Sequence, residues 1–110
     1  MTPRLLSWIA DVAGGRLVGQ DRMVDAIATD TRALPQGRDA LFVALKGESF
    51  DGHDHVRAAA VGGCVAALVA RPLDLDLPQV VVADPQRALA DLATAAQRAR
   101  SATRVIAITG

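Results

Sequence analysis

The unbroken apolar run Leu41-Phe42-Val43-Ala44-Leu45 lies between turn residues and the polar loop Lys46-Gly47-Glu48-Ser49-Phe50-Asp51-Gly52-His53-Asp54. A strand with one face in water alternates apolar and polar residues. An unbroken run needs cover on both faces, which an open α/β sheet provides. In such sheets ligands sit beyond the carboxyl ends of the strands, so the candidate ligand site is Lys46 to Asp54. Upstream, Asp30-Thr31-Arg32 forms a second polar turn at the end of an apolar segment.

The rest of the chain supports an α/β architecture. Leu5, Leu6, Ile9 and Val12 recur at helical spacing before Gly14-Gly15, a plausible helix stop. Short strands are expected at Arg16 to Val18 and Val24 to Ala28, and a helix at His55 to Val61, stopped by Gly62-Gly63. Cys64 to Val69 and Gln79 to Ala83 are further apolar runs, separated by the proline-bounded loop Arg71 to Pro78. Asp84-Pro85 combines an N-cap acceptor with proline at the first helical position, and Leu89, Leu92, Ala93 and Ala96 carry a helix to about Arg100. A last strand is expected at Arg104 to Gly110. Strands alternating with helices predict a layered α/β fold.

Composition narrows the function classes. Lys plus Arg total 12 and Asp plus Glu total 12, a formal net charge of zero. No basic footprint for nucleic acid or for an anionic membrane surface is present. Trp8, Phe42 and Phe50 are the only aromatics among the 110 residues, too few for the stacking platforms of single-strand binders. One cysteine, Cys64, permits no intrachain disulfide and reads as a small buried hydrophobe in a strand. No run reaches membrane-spanning length, so the expectation is a soluble cytoplasmic protein.

The chain ends as an apolar strand, Val105-Ile106-Ala107-Ile108, running into Thr109-Gly110. A phosphate-binding loop, Gly-x-x-x-x-Gly-Lys-Ser/Thr, opens in this way, although a lone glycine is also an ordinary strand end.

These segments together resemble the N-terminal domain of the Mur ligases, the ATP-dependent enzymes that extend the UDP-linked muramoyl peptide of peptidoglycan. Asp30-Thr31-Arg32 resembles the family's Asp-Ser/Thr-Arg turn, and Gly37 with Leu41 to Leu45 its Pro-Gly-x-Leu-Phe-Val-Ala-Leu strand. Arg38-Asp39-Ala40, between them, departs from the tighter family spacing. Gly47 to Asp54 resembles the Gly-Glu-x-x-Asp-Gly-His-Asp loop of the D-alanyl-D-alanine-adding branch, as does Arg71-Pro72-Leu73-Asp74 leading to Leu77-Pro78-Gln79. The diaminopimelate- or lysine-adding branch shares the Asp-Ser-Arg turn and the Asp-Gly pair but usually lacks the following His-Asp. That branch and a free-standing α/β binding module remain the alternatives.

The resemblance implies a small substrate domain with a mixed sheet at residues 1–84 and the first helix and strand of a phosphate-loop ATPase domain at 85–110. It further implies a monomer that takes UDP-N-acetylmuramoyl-tripeptide and D-alanyl-D-alanine. ATP and Mg would serve the parent enzyme at a site mostly beyond residue 110, with Gly110 its first element. This stretch alone is expected to be inactive, with no catalytic residue and no metal ligand of its own.

The implied substrate-binding positions are Thr31, Arg32, Lys46, Gly47, Ser49, Phe50 and Asp51, which would hold the uridine diphosphate end. The chemistry agrees, since a uridine diphosphate needs hydrogen-bond partners for the uracil edge, an apolar surface beneath the ring and cations or N–H donors for phosphate. Each position also has a structural reading. Thr31 could cap a turn, Arg32 could pair with a nearby carboxylate, and Lys46 could simply be solvated. Phe50 could plug the core beneath the loop, and Asp51-Gly52 could serve only as a turn. Asp51, His53, Asp54 and His55 suggest a metal, but residues so close in a turning segment rarely converge on one ion, and Asp54 reads better as an acceptor at the start of the next helix.

Overall fold

The computed structural model describes residues 2–109, with side chains through residue 98. Seven strands and three helices follow in the order β1 (Arg4–Leu5), α1 (Leu6–Ala13), β2 (Arg16–Val18), β3 (Met23–Val24), β4 (Ala26–Ala28), β5 (Ala40–Val43), α2 (Val56–Val61), β6 (Ala66–Val69), β7 (Gln79–Val81) and α3 (Pro85–Thr109). The main sheet has the order β2-β7-β6-β5-β4. β4, β5, β6 and β7 are parallel neighbours and β2 is antiparallel to β7, so the sheet is mixed. β1 and β3 form a separate two-stranded ribbon, so the apolar stretch at Val24 to Ala28 divides between two sheets instead of forming one strand.

Burial explains the unbroken apolar runs. Every residue of β5 and of β6 is buried. Leu41 and Val43 of β5, with Ala66 and Leu68 of β6, point into a cluster shared with Leu6 and Ile9 of α1 and Ala88 and Leu92 of α3. Ala40 and Phe42, with Ala67 and Val69, point the other way, against Val56 and Ala59 of α2 and Leu73, Leu75 and Leu77 of the following loop. The result is three layers, with α1 and α3 on one face and α2 with that loop on the other. Cys64 is buried in the second layer, where burial pushes its thiol pKa up.

Local signals set the ends of the helices. Gly14 closes α1 at φ 68°, in the left-handed region that glycine occupies without a Cβ clash. The Asp84 side chain accepts from the backbone N–H groups of Gln86 and Arg87 at 3.0 and 3.3 Å, the expected cap of α3. The expected strand from Arg104 is absent. α3 continues without a break to Thr109, because an isolated strand leaves its backbone groups unpaired while a helix pairs them internally. Gly110 lies outside the described residues.

The loop between β6 and β7 is fastened by Gln79, which is fully buried. Its Oε1 accepts from the Leu73 N–H at 2.7 Å and its Nε2 donates to the Leu73 carbonyl at 2.8 Å. Among the described residues no buried side-chain polar atom lacks a hydrogen-bond partner.

Candidate functional site

Since β4, β5, β6 and β7 run parallel, the segments that follow them emerge at one edge of the sheet. The turn at Asp30 to Ala33 follows β4, the loop Lys46 to Asp51 follows β5, Arg71 lies just past β6, and the start of α3 follows β7. Parallel pairing therefore brings the two polar segments, separate in sequence, to the same edge.

The first segment is a single 3-10 turn, Thr31–Ala33, capped by Asp30, whose side chain accepts from the Arg32 N–H at 2.9 Å. The Arg32 guanidinium also reaches back, with Nη2 2.7 Å from Oδ2 and Nε 3.1 Å from both oxygens. This pairing, first through the side chain and then through the backbone N–H, lowers the Asp30 pKa to about 2, with a small contribution from His55. Asp30, not Thr31, is the cap. The Arg32 side chain stays 88% exposed, so it can exchange its partner for an incoming anion.

The second segment is a tight turn. The Gly47 N–H donates to the Phe50 carbonyl at 2.7 Å, and Lys46 bridges antiparallel to Asp51. Lys46, Gly47, Ser49 and Phe50 are all exposed. Phe50 is therefore not a core plug. Its ring stacks on His55, with centroids 5.1 Å apart and planes 13° apart, as a flat aromatic surface. The Gln86 side chain, in the first turn of α3, donates to the Lys46 carbonyl at 2.6 Å.

Asp51 is occupied within the fold. It caps the 3-10 turn Gly52–His55 by accepting from the His53 N–H at 3.0 Å, and the same oxygen lies 2.6 Å from His53 Nδ1. Its second oxygen is 3.8 Å from Arg71 Nη1. These contacts, led by the backbone N–H and then the imidazole, hold its carboxyl below the usual range. Asp51 thus caps this turn, whereas Asp54, expected as the acceptor at the start of α2, is exposed, and α2 starts from His55 without a side-chain cap. No group of three or more metal-ligating side chains converges among the described residues.

The edge thus carries Arg32, Lys46 and Arg71 as cations, the Phe50–His55 stack as a flat surface, and the exposed turn at Gly47 to Ser49. That combination suits a ligand with a planar ring and an anionic group. In the sequence, Arg71 and His53 figure only as parts of branch-specific motifs, with a metal at His53 weighed and set aside, and Gln86 has no role. The spacing Asp51-x-His53, one residue apart around a glycine, was the available signal for an Asx-type cap.

No protein-family model matches the chain. The chain is 50% identical over 105 residues, 96% of its length, to the UDP-N-acetylmuramoyl-tripeptide–D-alanyl-D-alanine ligase of Escherichia coli. It is 36% identical over 92 residues, 83% of its length, to the UDP-N-acetylmuramoyl-L-alanyl-D-glutamate–2,6-diaminopimelate ligase of Halalkalibacterium halodurans. It covers 23% and 18% of those proteins. The solved structure of the UDP-N-acetylmuramoylalanyl-D-glutamyl-2,6-diaminopimelate–D-alanyl-D-alanyl ligase of Acinetobacter baumannii superimposes with a TM-score of 0.72 at 34% identity, over 84% of this chain and 21% of that one.

Proposed function

This chain belongs to the Mur ligase family, whose N-terminal region it matches, and we propose that it is the part of a D-alanyl-D-alanine-adding ligase that holds the uridine diphosphate end of UDP-N-acetylmuramoyl-tripeptide. The observation that carries the ligand assignment is the convergence of Thr31-Arg32 and Lys46 to Phe50 at the carboxyl edge of adjacent parallel strands. The Phe50–His55 stack would support the uracil ring, with Thr31 and Ser49 within the same edge for its polar rim. Arg32 would release Asp30 to meet phosphate, and Lys46 would add a second charge. Asp51 supports the loop from within and does not face the ligand directly.

The choice of branch rests on the 50% identity to the E. coli enzyme, against 36% to the diaminopimelate ligase above, and on the Asp51-Gly52-His53-Asp54 segment. The parent would be a cytoplasmic, monomeric, ATP- and Mg-dependent ligase. No helix among the described residues is long and apolar enough to cross a membrane. ATP would supply the phosphoryl group that activates the tripeptide carboxylate, in a domain following this region. Ala88 and Leu92 of α3 pack in the core with β5 and β6, which supports a boundary lying along α3 and not at the expected residue 84.

The test is the KM of the full-length enzyme for its UDP-linked substrate at saturating ATP. A lost charge-assisted hydrogen bond to phosphate should raise KM roughly ten- to a hundredfold in Arg32→Ala or Lys46→Ala. An unchanged KM in both variants, with circular dichroism unaltered, removes the two residues from the site.

A further inference from the structure

We infer that His53 is a positioning residue for the substrate-binding turn, acting as a strut between the end of β6 and Asp51. This rests on the reading that the Lys46 to Phe50 turn holds the uridine diphosphate end. The His53 side chain is only 2% exposed and touches both ends of that strut. Its Nε2 lies 2.9 Å from the backbone N–H of Ala70, one residue beyond β6. A backbone N–H can only donate, so Nε2 is the acceptor and carries no proton. The ring proton is then on Nδ1, which lies 2.6 Å from Asp51 Oδ1 and donates to it. One neutral tautomer satisfies both bonds, and the opposite tautomer satisfies neither.

The strut ends where the turn begins. The Asp51 backbone bridges Lys46, and the Gly47 N–H closes the turn on the Phe50 carbonyl. Fixing Asp51 therefore fixes the frame from which Lys46, Ser49 and Phe50 project. The Arg71 guanidinium steadies the other Asp51 oxygen, so the segment just past β6 holds Asp51 twice, once through His53 and once through charge. Next to the strut, Gly52 lies against the backbone of Ala44 and Leu45, and its N–H donates to the Leu45 carbonyl at 2.6 Å. His53 meets no ligand in this arrangement. Its effect on binding passes through Asp51.

A residue that only stabilises the fold lowers the amount of active enzyme, whereas a positioning residue shifts one substrate's KM. The experiment measures kcat, KM for the UDP-muramoyl-tripeptide and KM for ATP in the full-length protein carrying His53→Ala, His53→Asn or His53→Gln. Glutamine carries an acceptor and a donor at about the reach of the imidazole, while asparagine can keep the donor to Asp51 but cannot reach Ala70. The expected result is a KM for the UDP-linked substrate raised about tenfold in His53→Ala and His53→Asn, restored to within about threefold in His53→Gln, with kcat and the ATP KM unchanged. If His53→Ala does not fold, the asparagine and glutamine pair carries the same expectation. A wild-type KM in His53→Asn, or equal KM values in the asparagine and glutamine variants, overturns the inference. If instead the unsubstituted enzyme turns over without any requirement for a uridine nucleotide substrate, the functional reading fails and not the strut alone.

Discussion

Gly47 and Gly52 stand at the two ends of one loop, and the structure assigns them opposite sensitivities. A Cβ built on Gly52 would lie 2.8 Å from the Leu45 nitrogen, 2.8 Å from its oxygen and 2.9 Å from the Ala44 Cα, all of them backbone atoms of the two residues just after β5. Neither side can yield by rotating a side chain, so the backbone has to part. Overpacking of this kind costs about 1–3 kcal/mol. The 2.6 Å bond from the Gly52 N–H to the Leu45 carbonyl spans the same contact and would lengthen, which adds about 1 kcal/mol. Gly52→Ala is thus expected to lose about 2–4 kcal/mol, equivalent to a melting temperature lowered by about 10–20 °C in a domain of this size. A Cβ on Gly47 meets nothing within 4 Å, and its φ is not positive. Gly47→Ala is therefore expected to lie between neutral and about 1 kcal/mol more stable, since alanine narrows the unfolded ensemble. Urea unfolding of both variants, followed by circular dichroism, provides the comparison. If Gly52→Ala unfolds within about 0.5 kcal/mol of the wild type with the same denaturant slope, the close approach to β5 is not what requires glycine there.

Two further outcomes follow from particular bonds. Replacing the buried Gln79 by leucine leaves the N–H and carbonyl of Leu73 without their partners at 2.7 and 2.8 Å, an expected loss of about 2–4 kcal/mol, and faster amide exchange in the Arg71 to Pro78 loop checks it. Asp30 has its pKa lowered in the folded state from 3.8 to about 2, so its contribution to stability is full above about pH 4 and disappears as the pH falls through about 2. An NMR titration of the Asp30 carboxyl should have its midpoint near 2 in the wild type and move upward in Arg32→Ala; an unmoved midpoint would exclude the Arg32 side chain as its cause.

Local composition dictates which segments are fully buried and where the polar turns fall. Leu41 to Leu45 and Cys64 to Val69 are apolar without alternation, and a strand can be so only with layers on both sides, so the sandwiching of β5 and β6 is legible in the sequence. Gly14 and Asp84-Pro85 marked helix ends for equally local reasons of φ and capping. Which segments meet is a property of strand direction, and no single segment encodes it. Parallel pairing of β4 with β5 put the Asp30 turn beside the Lys46 loop, and α3 brought Gln86 to the Lys46 carbonyl across 40 residues of sequence. The terminal stretch Val105 to Ile108 has strand-forming residues, yet a strand exists only where a neighbour offers hydrogen bonds, and there the helix continues. The roles within the loop were likewise decided in three dimensions. Asp51 and His53 differ little in sequence from ligand-binding residues, and only the approach of Ala70 shows that their polar atoms hold the fold together at the site's edge.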